Sequence, residues 1–194
     1  ATSISAGGTS AGQPWWSAST CVVLDDGSVY CWGYNDKGQL GSNAGGPLPV
    51  DYSQTPLLVD LDQPAITLGV GLQFSCAVTF DNSADSNSGP MGSSRLFCWG
   101  SDMFDGDCHD GPYCGTPQWI SDENFPSDYF IWEISGGNEH VCALVADLSS
   151  VDSNYSITVH NTANQVFCWG ENNLRVLGSS GGDTTIPRQT DFLS

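Results

Sequence analysis

Three copies of Cys-Trp-Gly, each preceded by a second cysteine, constrain this chain more than any other feature. The tripeptide stands at Cys31-Trp32-Gly33, Cys98-Trp99-Gly100 and Cys168-Trp169-Gly170, at intervals of 67 and 70 residues (98 − 31 and 168 − 98). Each copy closes a short apolar run: Ser28-Val29-Tyr30, Arg95-Leu96-Phe97 and Gln165-Val166-Phe167. Each upstream cysteine opens another: Cys21-Val22-Val23-Leu24, Cys76-Ala77-Val78 and Cys142-Ala143-Leu144-Val145. A period of this length marks stacked units, each too small to bury its own apolar face, whose neighbours bury it with them. Short β-branched and aromatic runs between Gly-, Asn- and Asp-rich segments read as strands.

The first unit predicts its own disulfide. Asp25-Asp26-Gly27 is a hairpin signal, with Gly27 suited to the left-handed position of a three-residue loop. With that loop Leu24 faces Ser28, and stepping outward brings Cys21 opposite Cys31 at a non-hydrogen-bonded pair, where Cα atoms approach to roughly 4.5 Å. That spacing admits a disulfide. By repetition Cys76 pairs with Cys98 and Cys142 with Cys168. Cys108 and Cys114 remain, with Gly111-Pro112 between them as a turn for a local bridge. The second and third hairpins carry long polar excursions, Asp81 to Ser94 and Ala146 to Asn164, expected at the surface. Thr55-Pro56-Leu57 and Ile186-Pro187-Arg188 are expected as outer strands, since proline suits a strand's start or an edge.

Eight cysteines among 194 residues with four Lys and Arg suggest an oxidising compartment and an extracellular protein. The formal net charge of −18 argues against nucleic-acid binding, because Lys37, Arg95, Arg175 and Arg188 do not cluster. It disfavours anionic membrane surfaces too. No run reaches the ~20 apolar residues of a membrane span. No signal-peptide pattern opens the chain, which implies that any such segment has been removed.

These motifs together resemble the regulator of chromosome condensation repeat family, whose unit is a β-propeller blade. Its pattern runs through Gly-x-x-His-x-x-Ala-Leu, an aromatic-x-Trp-Gly strand, then Asn-x-x-Gly-Gln-Leu-Gly. The first repeat supplies Tyr30-Cys31-Trp32-Gly33 and Asn35-Asp36-Lys37-Gly38-Gln39-Leu40-Gly41. The third supplies Gly137 to Leu144 with His140, then Phe167-Cys168-Trp169-Gly170 and Leu177-Gly178. The second departs, with Phe74 in the histidine position and no Gly-Gln-Leu-Gly. The resemblance implies an all-β fold of three blades of antiparallel strands, about 1–62, 63–129 and 130–194, forming one unit. Rings of this family close with about seven blades, so three leave an incomplete ring unless other copies complete it. The chain also starts and stops near blade boundaries. Cysteine pairs in every blade set it apart from the family's nuclear exchange-factor role, and no match to that activity's catalytic wedge is found.

The remaining chemical candidates are few. Asp102, Asp105, Asp107 and Asp110, with His109 nearby, offer oxygens of the kind Ca²⁺ takes, against the plainer reading of a solvated loop held by Cys108 and Cys114. Otherwise no cofactor is expected. Asn154-Tyr155-Ser156 is a glycosylation sequon on a surface excursion. Trp32, Trp99 and Trp169 are expected in the blade core, and His140 in a structural hydrogen bond. Trp15-Trp16, in an insertion of small polar residues, is a candidate contact for another subunit or a ligand. No serine or cysteine has a nucleophile's surroundings, so no enzyme is expected. The function expected is that of an extracellular structural or interaction protein whose stapled blades self-associate into a ring or head-to-tail filament. The alternative is a secreted binding module recognising a protein or carbohydrate through its inserted loops.

Overall fold

The structure, a computed structural model, describes residues 1–8, 18–42, 51–80, 94–101, 113–121, 125–126, 129–147 and 165–191. Twelve strands make three four-stranded antiparallel sheets, with no helix among the described residues. The first sheet holds β1 (Ser3–Gly8), β2 (Ala18–Val23), β3 (Val29–Tyr34) and β4 (Tyr52–Leu58). The second holds β5 (Ala65–Val70), β6 (Phe74–Phe80), β7 (Ser94–Ser101) and β8 (Tyr113–Trp119). The third holds β9 (Tyr129–Gly136), β10 (His140–Asp147), β11 (Gln165–Gly170) and β12 (Thr184–Gln189). Strands follow chain order within each sheet. Each sheet is one propeller blade, and the ring they begin is not closed.

The three blades share one register, set locally. In the first, Leu24 N–H donates to the Ser28 carbonyl (2.9 Å) and Gly27 takes φ +81°, while Asp26 accepts from the Ser28 amide and hydroxyl. Those hydrogen bonds hold the Asp26 carboxyl below the usual range. The register then places Cys21 against Cys31, Cys76 against Cys98 and Cys142 against Cys168. All three pairs are bonded, each with Cα atoms 4.1 Å apart. One residue on, every blade has an irregularity in its third-to-fourth strand pairing, across Trp32, Trp99 and Trp169. The glycine after each tryptophan has φ of +105°, +110° or +113°. A Cβ there would stand 2.4–2.5 Å from a carbonyl oxygen at or just before the start of the neighbouring strand. Both observations demand glycine.

β8 had no counterpart in the sequence expectation, which named no strand between Cys114 and the end of the second blade at about 129. The signal was present in Thr116-Pro117-Gln118. Gln118 pairs with Cys98 as Leu57 pairs with Cys31 and Arg188 with Cys168, so Pro56, Pro117 and Pro187 hold one position on the three outer edge strands.

The core lies between blades. One cluster joins Val23, Val29, Cys31 and Leu40 to Leu68, Val70, Ala77 and Trp99 across the first joint. The other joins Phe74, Val78, Leu96 and Cys98 to Ile131, Val141, Phe167 and Trp169 across the second. The inner strands β1, β5 and β9 approach closely, as a Cβ on Gly7 would lie 2.0 Å from the Gly71 carbonyl oxygen. Hydrogen bonds cross the joints as well: Val70 N–H to Ser5 Oγ (3.2 Å), Leu72 N–H to Asn138 O (2.9 Å) and Ile131 N–H to Ser94 Oγ (2.8 Å).

Candidate interaction faces

How one blade grips the next is visible at the first joint. The turn after β3 is built by Asn35, whose buried side-chain oxygen accepts the Leu40 N–H (2.9 Å). Gly38 and Gly41 take φ +80° and +64° so that the chain can close. The turn presents the Gln39 carbonyl inward, where it accepts Trp99 Nε1–H and the Ser75 hydroxyl, each at 2.9 Å. A Cβ on Gly41 would stand 2.6 Å from Trp99 Nε1. The turn is a socket and Trp99 of the next blade is its knob, and both Leu40 and Trp99 are buried.

Each blade therefore has two unlike faces. The knob face carries Val22, Tyr30 and Trp32 in the first blade, Ala77, Phe97 and Trp99 in the second, and Ala143, Phe167 and Trp169 in the third, as the strand pairings show. The socket face carries Val23 and Val29, then Val78 and Leu96, then Leu144 and Val166. Inside the molecule these positions are covered: Val23, Val29, Val78, Leu96, Trp99 and Trp169 are all at most 1% exposed.

At the two ends they are not. On the knob face of the first blade Ile4, Val22, Tyr30 and Leu58 stand in register across all four strands. Ile4 is 70% and Leu58 53% exposed, and Val22, Tyr30 and Trp32 are only partly buried. Trp32 thus departs from the expectation of core burial, because no blade lies against it. On the socket face of the third blade Leu144 and Val166 are half-buried. There the Asn172–Gly178 turn repeats the socket: Asn172 Oδ1 accepts the Leu177 N–H (3.0 Å), Leu177 is buried, and Gly178 takes φ +63°. Leu174 and Val176 beside it are 86% and 41% exposed.

Trp169 is fully buried, yet its Nε1 has no hydrogen-bond partner. The second repeat lacks the Gly-Gln-Leu-Gly that gives Trp99 its carbonyl. Among the described residues the His140 side chain has no hydrogen-bond partner of the kind the sequence led us to expect. Its ring lies over Gly137, where a Cβ would be 2.2 Å away, as the ring of Phe74 lies over Gly71 at 2.0 Å. Partial burial pushes the His140 pKa down. One position takes either ring because packing, not donation, is its task.

An open cleft of about 770 Å³ lies between the second and third blades, lined by Gln73, Ser101, Glu139, Glu171, Asp183 and Arg188 among others. Glu171 has its pKa raised, first by its hydrogen bond with Glu139, then by desolvation and by the charges of Glu139 and Asp183. Among the described residues no group of three or more His, Cys, Asp or Glu is arranged to hold a metal ion. Asp102, Asp105, Asp107, Asp110, Cys108, Trp15, Trp16 and Asn154 all lie outside the described residues. Cys114 is buried on β8 and disulfide-bonded. The sequence expectation missed the exposed apolar row of the first blade, although its signal, apolar residues at Ile4, Val22, Tyr30 and Leu58, could be read once the strand register was known.

Comparison with known proteins agrees with this architecture. Residues 1–39 and residues 26–78 each match the regulator of chromosome condensation (RCC1) repeat. No curated protein sequence matches the chain. Human WBSCR16 superposes with a TM-score of 0.59 at 17% identity, over 88% of this chain and 35% of its own. Yeast RCC1 (Prp20), in its structure bound to Kap60, gives 0.53 at 17%, over 88% and 34%. Prp20p from Saccharomyces cerevisiae gives 0.57 at 17%, over 88% and 36%. The chain spans about a third of the length of these structures. The first 78 residues thus match the RCC1 repeat, and the three sheets have the fold of β-propeller blades like those of RCC1, in a ring that is not closed.

Proposed function

We propose that this unit is a protein-interaction module of the extracellular space whose partner is a second copy of itself, joined blade face to blade face. The observation that carries the reading is the exposed row Ile4–Val22–Tyr30–Leu58: the counterparts of its inner members Ile4 and Val22, Leu68 and Ala77 in the second blade and Ile134 and Ala143 in the third, are buried against a neighbour. An apolar face of this kind gains by being removed from water, about 25 cal/mol per Å² covered. Three cross-strand disulfides are compatible with an oxidising compartment. Proteins of this fold take protein partners: yeast Prp20 is seen bound to Kap60, and Prp20p has binding properties toward Gsp1p and histones.

Sedimentation velocity on the 194-residue chain across micromolar concentrations tests this. The expected result is a weight-average mass that climbs with concentration above the 20.6 kDa of one chain. A single 20.6 kDa species throughout overturns the reading.

A further inference from the structure

We infer that the copies join head to tail, the knob face of the first blade seating on the socket face of the third blade of the next copy, with the Trp32 indole N–H on the Val176 carbonyl. This rests on the self-association proposed above and specifies its geometry. The molecule already displays the joint twice, between first and second blades and between second and third. The inferred contact continues that stacking with the same parts.

Each part has a counterpart in place. Trp32 follows Cys31 in β3 and pairs with Thr20 as Trp99, after Cys98 in β7, pairs with Ser75. Val176 stands in the third-blade turn where Gln39 stands in the first, one residue before a leucine whose N–H is held by the turn's asparagine. The Gln39 carbonyl receives Trp99 and Ser75; the Val176 carbonyl makes no hydrogen bond among the described residues. Gly41 is glycine because the Trp99 indole occupies the space where a Cβ would go. Gly178 keeps the same conformation, φ +63° against +64°, and the atoms nearest its Cβ position are those of its own blade's Thr190 at 3.4 Å. The site is shaped for an indole, and among the described residues none is supplied there.

Two knob faces, or two socket faces, do not complement each other in this way. A knob-to-knob dimer would leave Trp32 without a carbonyl and Leu174 and Val176 of the socket exposed. The head-to-tail contact is heterologous, so each added copy exposes the same pair of faces again, giving a ring if the rotation closes and a filament if it does not.

The experiment uses two blocked chains. One carries Trp32→Ala, with Ile4→Asp as a second version because that side chain is 70% exposed and the fold does not depend on it. The other carries Leu174→Asp with Val176→Asp, both exposed. Circular dichroism melts establish that each is folded. Alone, each is expected to stay at 20.6 kDa. Mixed, they are expected to give one species of twice that mass and no larger, because each retains one good face. Trp32→Phe in the otherwise natural chain removes the donor and keeps an apolar ring; the expected dissociation constant is roughly fivefold weaker. If the natural chain associates but the mixture stays at 20.6 kDa, or either blocked chain associates as the natural one does, head-to-tail joining is wrong while self-association stands. If the natural chain itself never associates, both readings fall.

Discussion

Trp32, Trp99 and Trp169 hold one position in three hairpins and meet three different environments. Trp99 is buried with its N–H on Gln39, Trp169 is buried with its N–H unpaired, and Trp32 is only partly covered. A lost hydrogen bond at a buried donor costs about 1–3 kcal/mol, so the second joint is held more by apolar contact than the first. The neighbouring carboxylates offer a cleaner test at the same scale. Glu171 N–H donates to the Glu139 carbonyl at the hairpin end, which brings both side chains together beside Asp183. Its pKa is raised in the folded chain, so the folded state holds a proton that the unfolded state releases more readily. Its ionisation therefore lowers stability as pH rises through that raised value, and the loss disappears below the ordinary carboxylate range. Glu171→Gln is expected to melt at a higher temperature than the natural chain at pH 7. The difference should shrink toward zero by about pH 3.5, below the ordinary carboxylate pKa. Paired melts across pH measure this, and a difference that is constant with pH would assign the gain to something other than charge.

Among the elements, the turns after β3 and β11 are the same device built from different residues. Both close through an asparagine side chain and end on a left-handed glycine. They differ at the position three after the asparagine, where Gly38 takes φ +80° and Arg175 takes +58°. Gly38 is irreplaceable, since a Cβ would meet the Gly115 Cα of the next blade at 2.6 Å. Arg175 faces no such neighbour and is exposed, so only the left-handed conformation costs it. Arg175→Gly relieves that cost, partly offset by the greater freedom of glycine in the unfolded chain. The expected net gain is about 0.5–1 kcal/mol, read from urea unfolding midpoints at unchanged slope.

At the scale of the whole molecule the opposing forces are charge and apolar area. Copies with a net charge of −18 repel one another at long range, while the proposed contact sets the end faces of the first and third blades against each other. Raising the ionic strength from about 10 to about 150 mM shortens the screening length from about 30 to about 8 Å. Repulsion between copies falls and the apolar contact does not, so association is expected to strengthen with salt. Sedimentation at one protein concentration and several salt concentrations reads this directly. Mass falling with salt would mean that opposite charges, not the apolar faces, hold the copies together.

Local chemistry was legible wherever neighbours in sequence are neighbours in space. The hairpin at Asp25-Asp26-Gly27 dictates the pairing of Cys21 with Cys31, and the repeat carries that pairing to the other blades. The outer strand β8 was equally local, and Pro117 marked it, but the cysteines around it drew the reading toward a loop. The asymmetry of the tryptophans was not legible, because equal motifs imply equal burial and only the stacking of sheets shows which one lacks a neighbour. The same holds for His140, where a family pattern suggested a hydrogen bond and the packing over Gly137 replaced it. Sequence by itself determined the blade: its strands, its staples and its glycines, all set by contacts a few residues to some twenty residues apart. Tertiary structure decided which blade faces are covered and which are free, because burial depends on what stands against a surface, and no residue encodes that alone.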